Sequence, residues 1–133
     1  MRILCIDDDY VSRLKLKSVL SQYGDCDVAP SGELALELIN HAHIEGFPYE
    51  MVMLDIDMPT MKGPEVVKSI REYEEKKDIC ISDAGVKIIM ITGTRDAVSI
   101  ASSMVKGAQT FMLKPATKDK IEEKMKELGL ITL

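Results

Sequence analysis

The sequence predicts an α/β protein: a doubly wound parallel sheet of five strands flanked by five helices. Short, continuously apolar runs bounded by turn signals recur along the chain, which is how strands buried on both faces of a parallel sheet read. Between them lie stretches whose apolar residues return at helical spacing. Four of the apolar runs also end on a polar residue, and open parallel sheets bind ligands outside the carboxyl ends of their strands. A carboxylate cluster, a hydroxyl and an ammonium are thereby expected at one sheet edge.

The first run, Ile3-Leu4-Cys5-Ile6, leads into Asp7-Asp8-Asp9. A helix follows, with Leu16, Val19, Leu20 and Tyr23 on one face and Gly24 as its stop. A weak second strand spans Cys26 to Ala29, and Pro30-Ser31-Gly32-Glu33 opens a helix with Ala35, Leu38, Ile39 and Ala42 on one side. Gly46-Phe47-Pro48 breaks the chain before Met51-Val52-Met53-Leu54, which ends on Asp55. Pro64 suits the first turn of a third helix whose stripe is Val66, Ile70 and Tyr73. The stretch from Glu74 to Gly85 reads as a long surface connection, and the charges from Glu72 to Asp78 as a solvated helix end. Ile88-Ile89-Met90-Ile91 then runs into Thr92, a helix is expected from Asp96 to Lys106 with Gly107 beyond it, and Phe111-Met112-Leu113 runs into Lys114. The last helix, near Thr117 to Glu127, buries Ile121, Met125 and Leu128.

Length and composition bound the class. With 133 residues, one domain over 1–133 accounts for the chain, and 46% hydrophobic residues supply a core. The net charge of −5 argues against a surface for nucleic acid. Three cysteines without a CxxC spacing suggest a reducing compartment, with Cys5 acting as a small buried hydrophobe. The apolar runs fall short of a membrane span and no signal peptide is evident, so a cytoplasmic location away from membranes is expected.

Asp7, Asp8 and Asp55 place three carboxylates at adjacent strand ends. Bare, they repel one another and at least one pKa rises. A divalent cation relieves the conflict, and hard oxygen ligands suit Mg²⁺. An aspartate is a competent nucleophile toward phosphorus, and phosphoryl transfer needs chiefly positioning and charge stabilisation, which Lys114 and Thr92 are placed to supply.

Over essentially its whole length the chain resembles the receiver domain of two-component response regulators. The resemblance rests on Ile6-Asp7-Asp8-Asp9, on Leu54-Asp55-Ile56-Asp57-Met58-Pro59-Thr60-Met61-Lys62-Gly63, on Ile91-Thr92-Gly93 and on Lys114-Pro115, in that order. It implies the flavodoxin-like strand order 2-1-3-4-5. It makes Asp55 the phosphoacceptor, Asp7 and Asp8 the Mg²⁺ carboxylates with Asp8 the direct ligand, and the Asp57 carbonyl a further ligand. Thr92 becomes the switch hydroxyl, Lys114 the ion-pair partner of the phosphoryl group, and Phe111 the aromatic switch position, here without a hydroxyl. The Lys114–Pro115 peptide is expected to be cis, which proline permits, and Gly93 leaves the phosphoryl group accessible. Asp57 and Thr94 stand where the family tunes the lifetime of the phosphoaspartate, and Ala116 stands where a Phe is common.

The implied partners are a histidine kinase or histidine phosphotransfer protein as donor and an unspecified output protein. The output protein would be read through the face of the fourth helix, fifth strand and fifth helix, with phosphorylation-dependent pairing of two copies as a further expectation. The chain would stand alone or be a piece of a longer regulator, a switch that catalyses its own phosphorylation and slow dephosphorylation. No helix-turn-helix module is evident, so direct DNA binding is not expected.

Seen alone, Asp7-Asp8-Asp9 reads as a solvated turn or cap with Asp9 as the helix N-cap, and Thr92, Lys114 and Met58-Pro59 read as ordinary surface features. Their joint order carries the functional reading. His41 and His43, two apart, do not share a helix face and do not suggest a metal site, and most of the nine methionines read as core filler. Two other classes share part of this pattern. Asp55-Ile56-Asp57 matches the core of haloacid-dehalogenase-type phosphatases, but that motif normally ends a first strand and lacks the Met58-Pro59 continuation. A flavin module of the same topology would need a phosphate-binding loop where Asp7-Asp8-Asp9 would repel phosphate.

Overall fold

In the computed structural model, described for residues 1–59, 61–79, 85–93 and 96–132, five strands and five helices alternate along the chain. The strands are β1 (Arg2–Ile6), β2 (Asp25–Ala29), β3 (Met51–Asp55), β4 (Lys87–Thr92) and β5 (Thr110–Leu113). The helices are α1 (Tyr10–Leu20), α2 (Gly32–Ile44), α3 (Gly63–Lys76), α4 (Ala97–Lys106) and α5 (Lys118–Glu127). The strands pair in parallel in the order β2-β1-β3-β4-β5.

The apolar runs become strands because each can bury both faces. Leu4, Ile6, Val52, Leu54, Ile88 and Met90 pack with Ala35, Ile39, Val66 and Ile70 of α2 and α3. Their alternates Ile3, Cys5, Met53, Ile89 and Ile91 pack with Leu16 and Leu20 of α1 and Ile121 and Met125 of α5. The period-two alternation of a strand thus sorts one run into two cores. Cys5 and Cys26 are both buried in the second core, with their sulfurs 3.7 Å apart.

Side chains fix the helix starts. The Asp9 carboxylate accepts from Ser12 N, Ser31 from Leu34 N, Asp96 from Ser99 N and Thr117 from Lys120 N, so each satisfies a backbone donor with no partner inside its helix. At the start of α3 the backbones approach closely instead. A Cβ on Gly63 would lie 2.7 Å from the Ile56 Cα, and Gly63 N donates to Ile56 O. Gly107 closes α4 at φ 122°, in the left-handed region, and a side chain there would strike Arg71.

Two expectations need correction. The first helix ends at Leu20 with Ser21 as its cap, so Tyr23 lies in the following turn, from which its hydroxyl bonds Glu122 of α5. The charged run after Tyr73 is not simply solvated. α3 continues to Lys76, and Glu74 is only 4% exposed because Arg71, 6% exposed, pairs with it. Arg71 also donates to the carbonyls of Val86 and Gly107 and to Gln109, while Glu74 accepts from Val86 N. This buried network ties α3 to the start of β4 and the end of α4; helical spacing points Glu74 inward, and only the paired charge makes that tolerable. Residues 80–84 of the connection expected before β4, Cys80 among them, lie outside the described residues.

Candidate functional site

Strand register brings the predicted residues together. Ile6 pairs with Leu54, so Asp7 and Asp55 leave neighbouring strands at one level. Asp55 pairs with Ile91 and Thr92 with Leu113, which puts Thr92 and Lys114 just beyond that level on the next two strands. Lys114 N donates to Thr92 O at 2.7 Å, locking the two strand ends. The edge lies where the chain crosses from one side of β1 to the other, the position at which such sheets hold ligands.

Asp7 is 1% exposed, Asp55 4% and Thr92 fully buried, whereas Asp8 is exposed. One carboxylate oxygen from each of Asp7, Asp8 and Asp55 lies within 4.8 Å of the others, a grouping of metal-binding residue types found once among the described residues. Lys114 Nζ stands 3.5 Å from Asp55 Oδ2, and Asp57 N donates to Asp55 Oδ1 at 3.1 Å. Asp9 N donates to Asp7 Oδ1, while Asp7 Oδ2 is buried with no hydrogen-bond partner. The backbone of Asp7 is held by Ala29 O and by Arg13.

These surroundings set the electrostatics. Burial first, and then the Asp7 charge, push the Asp55 carboxyl up to about 6, against the opposing pull of Asp57 N–H and Lys114. Burial also raises Asp7. An orphaned buried carboxylate oxygen beside two further carboxylates, one facing solvent, is a donor set of the kind hard cations take. The residues fit Mg²⁺.

The other predicted positions are placed as follows. Asp57 is exposed beside Asp55, and Gly93 is exposed at the end of β4, where an added Cβ would meet Lys114 only at an ordinary 3.7 Å. The Lys114–Pro115 peptide is cis. Phe111 is 37% exposed on β5. Ala116 is half-buried against the α1/α5 core. Thr94, like Thr60, falls outside the described residues. Asp9 serves as the α1 cap. His41 pairs with Glu45 while His43 packs edge-on to Tyr73. Asp55 ends the third strand, unlike the first-strand aspartate of the phosphatase pattern. Gly63 went unremarked as the residue that lets α3 pack against the backbone beside Asp55; its place before Pro64 was the available signal.

The chain belongs to the response regulator receiver domain family, whose model matches residues 3–126. It is therefore a receiver domain of two-component signalling. Among its relatives is a chemotaxis protein CheY homolog of Campylobacter jejuni, 26% identical over 130 residues that cover 96% of this chain and 92% of that protein. Solved structures with this fold include the Saccharomyces cerevisiae phosphotransfer protein Ypd1 with the receiver domain of Ssk1 (TM-score 0.80, 22% identity, 97% of this chain and 88% of that one). Another is the CheX–CheY–BeF₃–Mg²⁺ complex of Borrelia burgdorferi (TM-score 0.80, 23% identity, 98% and 90%). At these identities the structural likeness speaks for the fold.

Proposed function

We propose that Asp55 accepts a phosphoryl group from a histidine kinase or histidine phosphotransfer protein. The observation that carries this is the placement of Asp55 at a buried strand end, inside the Asp7–Asp8–Asp55 cluster and 3.5 Å from Lys114 Nζ. An Asp55 carboxylate oxygen attacks phosphorus, the donor's bond to phosphorus breaks, and its electron pair leaves with the donor. Lys114 balances charge on the phosphoryl oxygens, and Asp57 N–H orients the attacking carboxylate by holding its other oxygen. Asp7, Asp8, Asp55 and the Asp57 carbonyl would hold Mg²⁺, which when bound offsets the carboxylate charges and those of the phosphoryl oxygens.

The chain catalyses its own phosphorylation and slow hydrolysis, the lifetime being set by Asp57 and Thr94. Tyr10, Val11 and Leu14, exposed at the start of α1, offer an apolar patch on which the protein donor docks. Thr92 and Phe111 act as the switch. Val98 and Val105 of α4 are exposed, as is Phe111 of β5, and this α4–β5–α5 face serves the output protein or a second copy once phosphorylated. Residues 1–133 act as one domain in the cytoplasm; among the described residues no helix is long and apolar enough to cross a membrane.

Incubation with acetyl phosphate and Mg²⁺, followed by intact mass, tests the reading. One phosphoryl adduct is expected, absent from Asp55→Asn and from a metal-free control. An adduct that persists in Asp55→Asn would refute it.

A further inference from the structure

A groove of about 530 Å³ opens between α1 and the loop that joins β5 to α5. Asp7 and Lys114 are among its lining, so it reaches the edge of the phosphorylation site. Leu16, Val19 and Ala116 give it an apolar floor, and Lys15 and Lys118 stand with Lys114 around it. The small Ala116 side chain leaves that floor open; a larger residue there would fill it.

The charge pattern is local. The chain carries a net charge of −5, yet the groove lining holds three lysines and one carboxylate, Asp7. Lys114 also faces Asp55 and Lys118 faces Glu122, while Lys15 adds a further positive charge. Its complement is a molecule with an apolar body and a negative head, reaching Asp55 past Lys114. We propose that the groove is an acyl subsite, and that the receiver takes acyl phosphates whose acyl chain is longer than acetyl as direct phosphoryl donors. This rests on Asp55 being the phosphoacceptor.

In the reaction an Asp55 carboxylate oxygen forms a bond to phosphorus as the bond from phosphorus to the acyl oxygen breaks. The electron pair departs on that oxygen, giving a free carboxylate, and no proton is transferred. Lys114, the groove lysine next to Asp55, offsets the charge that the leaving carboxylate gains, Lys15 and Lys118 line the groove beyond it, and the apolar floor takes the methylenes. A donor with a neutral leaving group gains nothing from the lysines.

The test compares acetyl and butyryl phosphate as donors to the natural chain in Mg²⁺, following adduct mass at subsaturating donor. Acetate and butyrate are acids of nearly equal strength, so their intrinsic leaving ability is matched and the ratio of rates reports the groove. Two further methylenes, largely buried, raise the rate with butyryl phosphate by roughly five- to tenfold. In Ala116→Phe the ratio returns to near one; because the ratio is taken within one protein, a general loss of rate does not disturb it. A ratio of one or less in the natural chain, with acetyl phosphate active, would overturn the subsite alone. A ratio that survives Ala116→Phe would overturn it too. Failure of both donors to label Asp55 would overturn the subsite together with the phosphoacceptor assignment.

Discussion

Replacing Asp55 by Asn should stabilise the metal-free protein. The folded chain raises the Asp55 carboxyl from 3.8 to about 6, chiefly by burying it and then by setting it beside Asp7. Each unit of such a shift corresponds to about 1.4 kcal/mol between the charged and neutral forms. At neutral pH the charged Asp55 therefore costs the fold about 3 kcal/mol, and the near-isosteric neutral amide removes most of that. For a chain of this length the gain corresponds to a rise in melting temperature of roughly 5–10 °C. The pH dependence has a definite sign. Between about 4 and 6 the folded chain holds a proton that the unfolded chain has released, so stability falls as pH rises through that window. The Asn variant's advantage should accordingly be full above pH 7 and about half as large at pH 5. Melting curves by circular dichroism in chelator, at pH 7.5 and 5, provide the assay. An Asn variant no more stable than the natural chain at pH 7.5, or an advantage that does not shrink at pH 5, would refute the electrostatic reasoning.

Other consequences follow from the same contacts. Mg²⁺ affinity should fall as pH drops, by about tenfold per unit below pH 6, because protons compete for the raised carboxyl of Asp55; a titration that gives equal affinities at pH 7.5 and 5 would contradict this. Arg71→Met strands the buried Glu74 carboxylate and should cost about 3–5 kcal/mol in a urea denaturation, with part recovered on adding Glu74→Leu. A loss like that of an exposed pair would show that the network carries little. Gly63→Ala puts a Cβ 2.7 Å from the Ile56 Cα. It should cost about 1–3 kcal/mol and slow phosphorylation by shifting the β3–α3 loop, whereas unchanged stability and rate would free the loop from that role.

The strands were legible because a parallel sheet buries both of their faces, which leaves continuous apolar runs with few alternatives. The polar endpoints were legible for the same reason, since each marks where a buried run meets the sheet edge. Exposure at those endpoints was not legible. Asp7 and Asp8 are adjacent and chemically identical, yet Asp7 is buried and Asp8 open, because only Asp7 lies level with Asp55 at the sheet edge. Glu74 read as solvated because a charge in a charged run ordinarily is; the partner that buries it, Arg71, is one helical turn away and anchored by carbonyls from Val86 and Gly107. The end of α1 was overestimated because Tyr23 keeps helical spacing while its contact comes from the next turn. The place of Gly63 before Pro64 marks a helix start, but the close backbone approach that requires a glycine there shows only in the distance to Ile56.

The most direct test of the central claim is to locate the phosphoryl group. Borohydride reduction of the acetyl-phosphate-treated, Mg²⁺-loaded protein converts an aspartyl phosphate to homoserine, and peptide mass spectrometry reads its position. Homoserine at position 55, lost when Mg²⁺ is chelated, is the predicted result. Homoserine at Asp7, Asp8 or Asp57, with position 55 still aspartate, would contradict the account.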